Sequence, residues 1–142
     1  MYKNILLALD LVHEGSWTKA LPTAVEYAQK FDSTLHLVTV VPSFGMSIVG
    51  TYFPKDFEGK ALAEARERCS AFAKEHLPGG LAVETHVAHG RSYDEILAAA
   101  KKLRADLIVI GSHQPGTEDY LLGSTASRVV RFAPCSVLVV RG

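Results

Sequence analysis

Leu107-Ile108-Val109-Ile110-Gly111-Ser112-His113-Gln114-Pro115-Gly116-Thr117-Glu118-Asp119-Tyr120-Leu121-Leu122-Gly123-Ser124 is the stretch that decides how this chain is read. An apolar run halts at Gly111, a polar segment loops out, and Gly123-Ser124 opens a stretch with helical spacing. A strand therefore feeds a glycine loop that ends on a helix. The first N–H groups of a helix lack intrahelical partners and carry the positive end of its dipole, so the end of this loop suits an anion, phosphate above all.

Working outward, apolar runs recur at Ile5 to Leu9, Leu35 to Val41, Leu81 to Ala88, Leu107 to Ile110 and Val137 to Val140. Several are nearly continuous in Leu, Ile and Val, as strands buried on both faces require. Between them the spacing turns helical. Trp17, Ala20, Leu21, Ala24, Ala28 and Phe31 fall on one face, as do Leu62, Ala65, Cys69, Phe72 and Ala73. Pro22 lies early in the first of these, so that helix is expected to begin near Thr18 or to kink in its first turns. Ser92-Tyr93-Asp94-Glu95 fits a capping box ahead of Ile96, Ala100 and Leu103, and Lys101, Lys102 and Arg104 close that helix. Ala126, Val129, Val130 and Ala133 define a last helix from about Ser124 to Ala133, stopped by Pro134. Strand alternating with helix predicts an α/β fold, a parallel sheet covered by helices. Gly45 to Gly59 is an unusually apolar connector, either a lid or contact surface, or a segment packed on its own domain.

Composition sets the bounds. At 142 residues and 48% apolar content, the chain suits one domain spanning 1–142. Fifteen basic residues balance fifteen acidic ones, which leaves no field to attract nucleic acid or an anionic membrane. A compact, specific ligand is expected instead. No apolar run approaches the roughly 18 residues of a membrane span, and a strand-like segment follows Lys3 directly, so a cytoplasmic protein is expected. The 2 cysteines have neither metal-ligand spacing nor a disulfide framework.

Several chemistries are disfavoured. The loop from Gly111 to Thr117 lacks the lysine of a Walker loop, and no G-x-G-x-x-G follows the first strand, where Ala8-Leu9-Asp10-Leu11-Val12 stands. No G-x-S-x-G elbow occurs. Among 6 histidines, His86 and His89 form the tempting metal pair, but three residues apart on a strand means opposite faces, so no metal site is expected. Neither an arginine finger nor a placed base is evident; Arg128 and Arg131 are read as solvated surface. No catalytic residue is assigned, and slow phosphoanhydride hydrolysis is the most that enzyme chemistry would amount to.

Gly111-Ser112-His113-Gln114 followed by Gly123-Ser124 resembles the phosphate loop of the universal stress protein family, G-x-x-G and then Gly-Ser or Gly-Thr before the last helix. Gln114 stands at the second glycine position and the loop is one residue shorter. Both departures match the F-type bacterial subgroup, in which a segment like GSHxPxxxxYLLGS precedes CSVLVVR; Gly111 to Arg141 is similar to it. The resemblance implies an open five-stranded parallel sheet of order 3-2-1-4-5, Rossmann-like and adenine nucleotide alpha hydrolase-like, with helices on both faces. It implies a dimeric stress-response regulator that binds ATP, AMP or ADP, with Mg2+ alongside. Asp10 would meet the ribose or adenine, Val40 would bond the adenine edge through its backbone, and Ala8 and Leu9 would wall the base. Ile110, Gly111, Ser112, His113, Gln114, Gly123, Ser124 and Thr125 would complete the site around the phosphates, mainly through N–H groups and hydroxyls.

Competing readings stand beside these. Asp10 capping a turn, His113 as an exposed loop residue and Gly123 as a packing glycine need no ligand. The strand order that the resemblance implies makes the strands ending at Asp10 and Gly111 neighbours, and open parallel sheets bind ligands beyond the carboxyl ends of strands where strand order reverses. In the strand order that the resemblance implies, Val137 to Val140 would be an unprotected edge, and a homodimer joined about the last strands, as in the family, is expected. A slow ATP hydrolase, and a dimerisation or adaptor module with an empty pocket, are the alternative functions.

Overall fold

Leucine, isoleucine and valine fill the interior of the sheet because its strands are covered on both sides. The computed structural model describes residues 1–11, 13–42, 57–112 and 122–142. Its strands are β1 (Asn4–Ala8), β2 (Thr34–Val41), β3 (Ala82–His89), β4 (Leu107–Ser112) and β5 (Ser136–Arg141). They form one five-stranded sheet in the order β3-β2-β1-β4-β5, and every neighbouring pair runs parallel. The helices are α1 (Ala20–Phe31), α2 (Phe57–His76), α3 (Ser92–Lys102) and α4 (Ser124–Phe132).

Side chains alternate across each strand, which divides the core in two. Ile5, Leu7, Leu35, Leu37, Leu107 and Val109 face α1 and α2, where Ala20, Leu21, Ala24, Ala28, Cys69 and Phe72 meet them. Leu6, Val38, Ile108 and Ile110 face the other way, against Ile96 and Ala100 of α3 and Ala126 and Val129 of α4. Each fully buried Leu or Ile contributes about 1.5–3 kcal/mol relative to an exposed one. The chain thus winds outward from β1 over one face, then crosses to β4 and covers the other.

Local details depart from the sequence reading in three places. β4 does not stop at Ile110: Gly111 pairs with Val140 and Ser112 with Arg141, because β5 runs on to supply ladder partners. Ser92 is not a capping residue; it is the first residue of α3, the N-cap is Arg91 in an extended conformation, and no side chain caps the helix. Glu95 lies instead against Gly90, whose φ of 144° and proximity to the Glu95 carboxylate leave no room for a side chain. Pro22 does not end α1. The helix starts at Ala20 after a 3-10 turn over Glu14–Ser16, so Pro22 falls in the first turn, where its missing N–H costs no hydrogen bond. Of the apolar connector, residues 45–56 lie outside the described part, and α2 begins at Phe57.

Candidate functional site

The carboxyl ends of β1 and β4 lie side by side at the centre of the sheet, and the chain leaves them toward opposite sides. Past β1, Leu9 is tied to β2 twice: its N–H donates to the Val38 carbonyl at 2.9 Å, and its carbonyl accepts from Thr39 Oγ1 at 2.9 Å. Asp10 follows directly. Its carboxylate accepts the His13 N–H at 3.3 Å and lies 2.7 Å from His13 Nδ1, while Ser16 Oγ donates to the carbonyls of His13 at 2.7 Å and Asp10 at 3.2 Å. Asp10 therefore does organise the turn that follows it. It keeps half of its side chain exposed.

That turn docks on the end of β4. A Cβ at Gly111 would lie 2.1 Å from the Ser16 carbonyl oxygen, so only glycine lets the two segments meet. Ser112 then turns its hydroxyl toward α4, where Oγ accepts the Gly123 N–H at 3.4 Å. Gly123 is the N-cap of α4, with φ −64° and ψ 159°, and no side chain caps the helix. The opening N–H groups of α4 consequently lack an intrahelical partner and receive no cap from the Gly123 position, and they carry the positive end of the helix dipole.

These elements line an open-sided cavity of about 770 Å3 among the described residues. Ala8, Leu9 and Asp10 line it from β1 and its extension, Val38 and Val40 from β2, Ile110, Gly111 and Ser112 from β4, and Gly123, Ser124, Thr125 and Ala126 from α4. Its character changes from end to end. Aliphatic side chains from the two strands make a wall suited to a planar ring, and backbone amides and hydroxyls gather at α4. The size falls within the range of small-molecule sites, about 300–1,000 Å3. His113 and Gln114 lie outside the described residues.

A family model described as the universal stress protein family matches residues 1–141. The chain belongs to this family. Universal stress protein G of Escherichia coli O157:H7 is 35% identical over 99% of this chain and the whole of the relative. The universal stress protein G of Salmonella typhimurium is 37% identical, with 99% of this chain and all of the relative aligned. Among solved universal stress proteins, one from Burkholderia pseudomallei matches with a TM-score of 0.75 at 26% identity over 99% of this chain and 97% of that one. Another, solved in complex with cAMP, matches with a TM-score of 0.63 at 26% identity over 99% and 97% of the two chains. The sheet order and two-sided helical cover are those of the adenine nucleotide alpha hydrolase-like fold that universal stress proteins share.

Sequence reasoning did not find every group at the cavity. Ala61, Glu64, Ala65 and Arg68 of α2 line it, as do His13, Ser16 and Ser92. Spacing alone carried a signal for the α2 residues: 61, 64, 65 and 68 share one helical face, and Ala61 and Ala65 are small enough to let a neighbour approach. Arg128 and Arg131 of α4 do not line the cavity. The Arg128 guanidinium sits 4.6 Å from the centre of the Tyr93 ring, and that of Arg131 5.3 Å from the Phe132 ring. No helix among the described residues is long and apolar enough to cross a membrane.

Proposed function

We propose that this chain is an adenine-nucleotide-binding regulator, taking ATP, and AMP or ADP more weakly, in the cavity between β1, β2, β4 and α4. The observation that carries the reading is the amino end of α4, opened by Gly123 with no side chain to cap it, lining the same cavity as Asp10 across the point where strand order reverses. In this reading the base lies against Ala8, Leu9, Val40 and Ile110, with the Val40 backbone at its edge. Asp10 accepts from ribose hydroxyls or the adenine amino group, a place where its charge does not oppose the phosphates. Gly111, Ser112, Gly123, Ser124 and Thr125 surround the phosphates, with His113 and Gln114 of the intervening loop completing the F-type arrangement. Donors come from amides and hydroxyls, so no lysine is needed. Mg2+ would be held chiefly by phosphate oxygens and water, as its preference for several water ligands allows. A relative of 26% identity that carries cAMP supports an adenine ligand.

Binding rather than turnover is the proposed role. Arg128 stacks on Tyr93, and Asp10 is engaged with the 3-10 turn, so neither is poised as a phosphoryl-transfer catalyst. The protein acts in this reading as a cytoplasmic homodimer joined about β5, which is an edge strand rich in Val and Leu. α4 packs beside β5 and exposes Val130 and Phe132, adding apolar surface to that side. Calorimetry of the purified chain with ATP, AMP and GTP tests the proposal: saturable heat for adenine nucleotides, strongest for ATP and abolished in Gly123→Val, is expected. Absence of heat for every adenine nucleotide overturns it.

A further inference from the structure

Away from the cavity, toward the amino ends of the strands, three side chains from two strands converge. The register pairs His36 with Glu84 and Val38 with His86, which puts His36, Glu84 and His86 on the α3 side of the sheet. His36 Nδ1 lies 3.0 Å from His86 Nε2 and 3.1 Å from Glu84 Oε2, and His86 Nε2 lies 3.8 Å from the same carboxylate oxygen. Asn4, from β1, supplies the fourth member: its Oδ1 accepts from His36 Nε2 at 3.1 Å.

The proton count decides what this cluster can do. With Nε2–H donated to Asn4, a neutral His36 presents a bare lone pair on Nδ1. A carboxylate oxygen and the second imidazole nitrogen face that lone pair, so at most one proton, on His86 Nε2, is available among three acceptor atoms. Glu84 is left facing a lone pair. Protonating His36 would relieve this, but burial, and then the charge on His86, push its pKa down against the opposing pull of Glu84. Burial lowers His86 as well. A neutral imidazole is the form that binds metals.

We propose that His36, Glu84 and His86 bind a divalent transition-metal ion of the zinc type, with water in the remaining position. Around a tetrahedral ion with bonds of about 2.0–2.1 Å, ligand atoms stand roughly 3.3 Å apart, and the separations in this cluster bracket that value. Two imidazoles with one carboxylate suit Zn2+ better than Mg2+ or Ca2+, which prefer oxygen alone. Asn4 plays the supporting part that a metal-bound histidine requires, fixing the tautomer and orientation of the ring through its far N–H. His36 is buried, whereas Glu84 has 60% of its side chain exposed and His86 31%, so an ion has a route in and room for a water ligand. Bound there, it would clamp β3, an edge strand, to β2. The site owes nothing to the nucleotide cavity, and His89, on the opposite face of β3, takes no part.

The test is calorimetric titration of the EDTA-treated full-length protein with ZnCl2, without nucleotide, beside Glu84→Gln, His86→Gln, His89→Gln and Asn4→Ala. One ion per chain is expected, with a rise in Tm of several degrees on saturation. His89→Gln should match the parent, Glu84→Gln and His86→Gln should each lose at least about 100-fold in affinity, and Asn4→Ala roughly 10–100-fold. Glu84 and His86 reach solvent, so their variants should keep the fold, which circular dichroism checks. Co2+ replacing Zn2+ gives an independent readout, tetrahedral d–d bands in the parent that vanish in Glu84→Gln. No stoichiometric binding by the parent, or equal binding by Glu84→Gln and His86→Gln, overturns the proposal.

Discussion

The backbone carbonyl of Ser16 occupies the space into which any side chain at Gly111 would have to grow, at 2.1 Å from an ideal Cβ. Backbone cannot rotate aside as a flexible side chain can. Gly111→Ala must push the 3-10 turn off the end of β4, and overpacking of this kind costs about 1–3 kcal/mol. Because the same turn is organised by Asp10, the substitution should also weaken ATP binding. Gly59→Ala is the control: nothing lies within 4 Å of its Cβ and it sits inside α2, so about 0.5–1 kcal/mol of stabilisation is expected. Urea unfolding of the two variants should show midpoints moving in opposite directions.

Ser124 separates helix stability from ligand binding. A carboxylate in the first turn of α4 interacts favourably with the dipole, so Ser124→Asp should stabilise the protein by about 0.3–1 kcal/mol. The same charge occupies the position proposed for phosphate. Affinity for ATP should fall about tenfold or more while adenosine, which lacks phosphate, is little affected. Thermal unfolding and parallel titrations with ATP and adenosine measure both effects. Equal losses for the two ligands would place the phosphates elsewhere.

The central strands β1, β2 and β4 were legible because they are buried from both faces and so are rich in Leu, Ile and Val, while Asp10 and Gly111 could be joined through the ends of β1 and β4. What escaped depends on register and on packing at a distance. His36 and Glu84 are 48 positions apart in number yet directly opposite, and no local spacing announces that pairing; spacing along one strand relates His86 only to His89. Ser92 carries the capping signature, but the chain enters α3 from Gly90, and the Glu95 carboxylate packs against that glycine instead of closing the box. Arg68 reaches the cavity because of where α2 lies on the sheet, which helical periodicity cannot state.

Arg68 is the cation that α2 brings to the cavity rim. Its side chain is exposed, so its attraction for a polyanion is screened and is worth about 0.2–1 kcal/mol. Arg68→Gln should weaken ATP binding a few-fold at low salt, and the deficit should close as ionic strength rises past roughly 0.15 M. Affinities for ATP measured across a salt series in parent and variant check this. A deficit that persists at high salt would show a direct, desolvated contact.

β5 leaves one side of its backbone without a strand partner in the sheet. A second copy can satisfy that edge and cover its half-buried valines. Sedimentation equilibrium at micromolar concentration should give about twice the chain mass of 15.4 kDa. A species of single-chain mass under those conditions rejects the edge-to-edge dimer while leaving the nucleotide cavity untouched.

Cys69 provides a pH dependence whose sign can be worked out. It is fully buried in α2, and burial pushes its thiol pKa up, with a hydrogen bond involving Thr39 pulling the other way. In the unfolded chain the thiol ionises near 8.5. Above that pH the unfolded state releases a proton that the folded state retains, so unfolding becomes more favourable as pH rises. The contribution is intact below about pH 8.5 and is lost as pH climbs toward the raised folded value. Urea midpoints measured from pH 7 to 10 should therefore fall more steeply for the parent than for Cys69→Ala, and the difference cancels the other groups titrating in that range. Cys135, only partly buried, should react with a thiol reagent well before Cys69 does. Parallel slopes for parent and variant would mean that Cys69 reaches solvent before the protein unfolds.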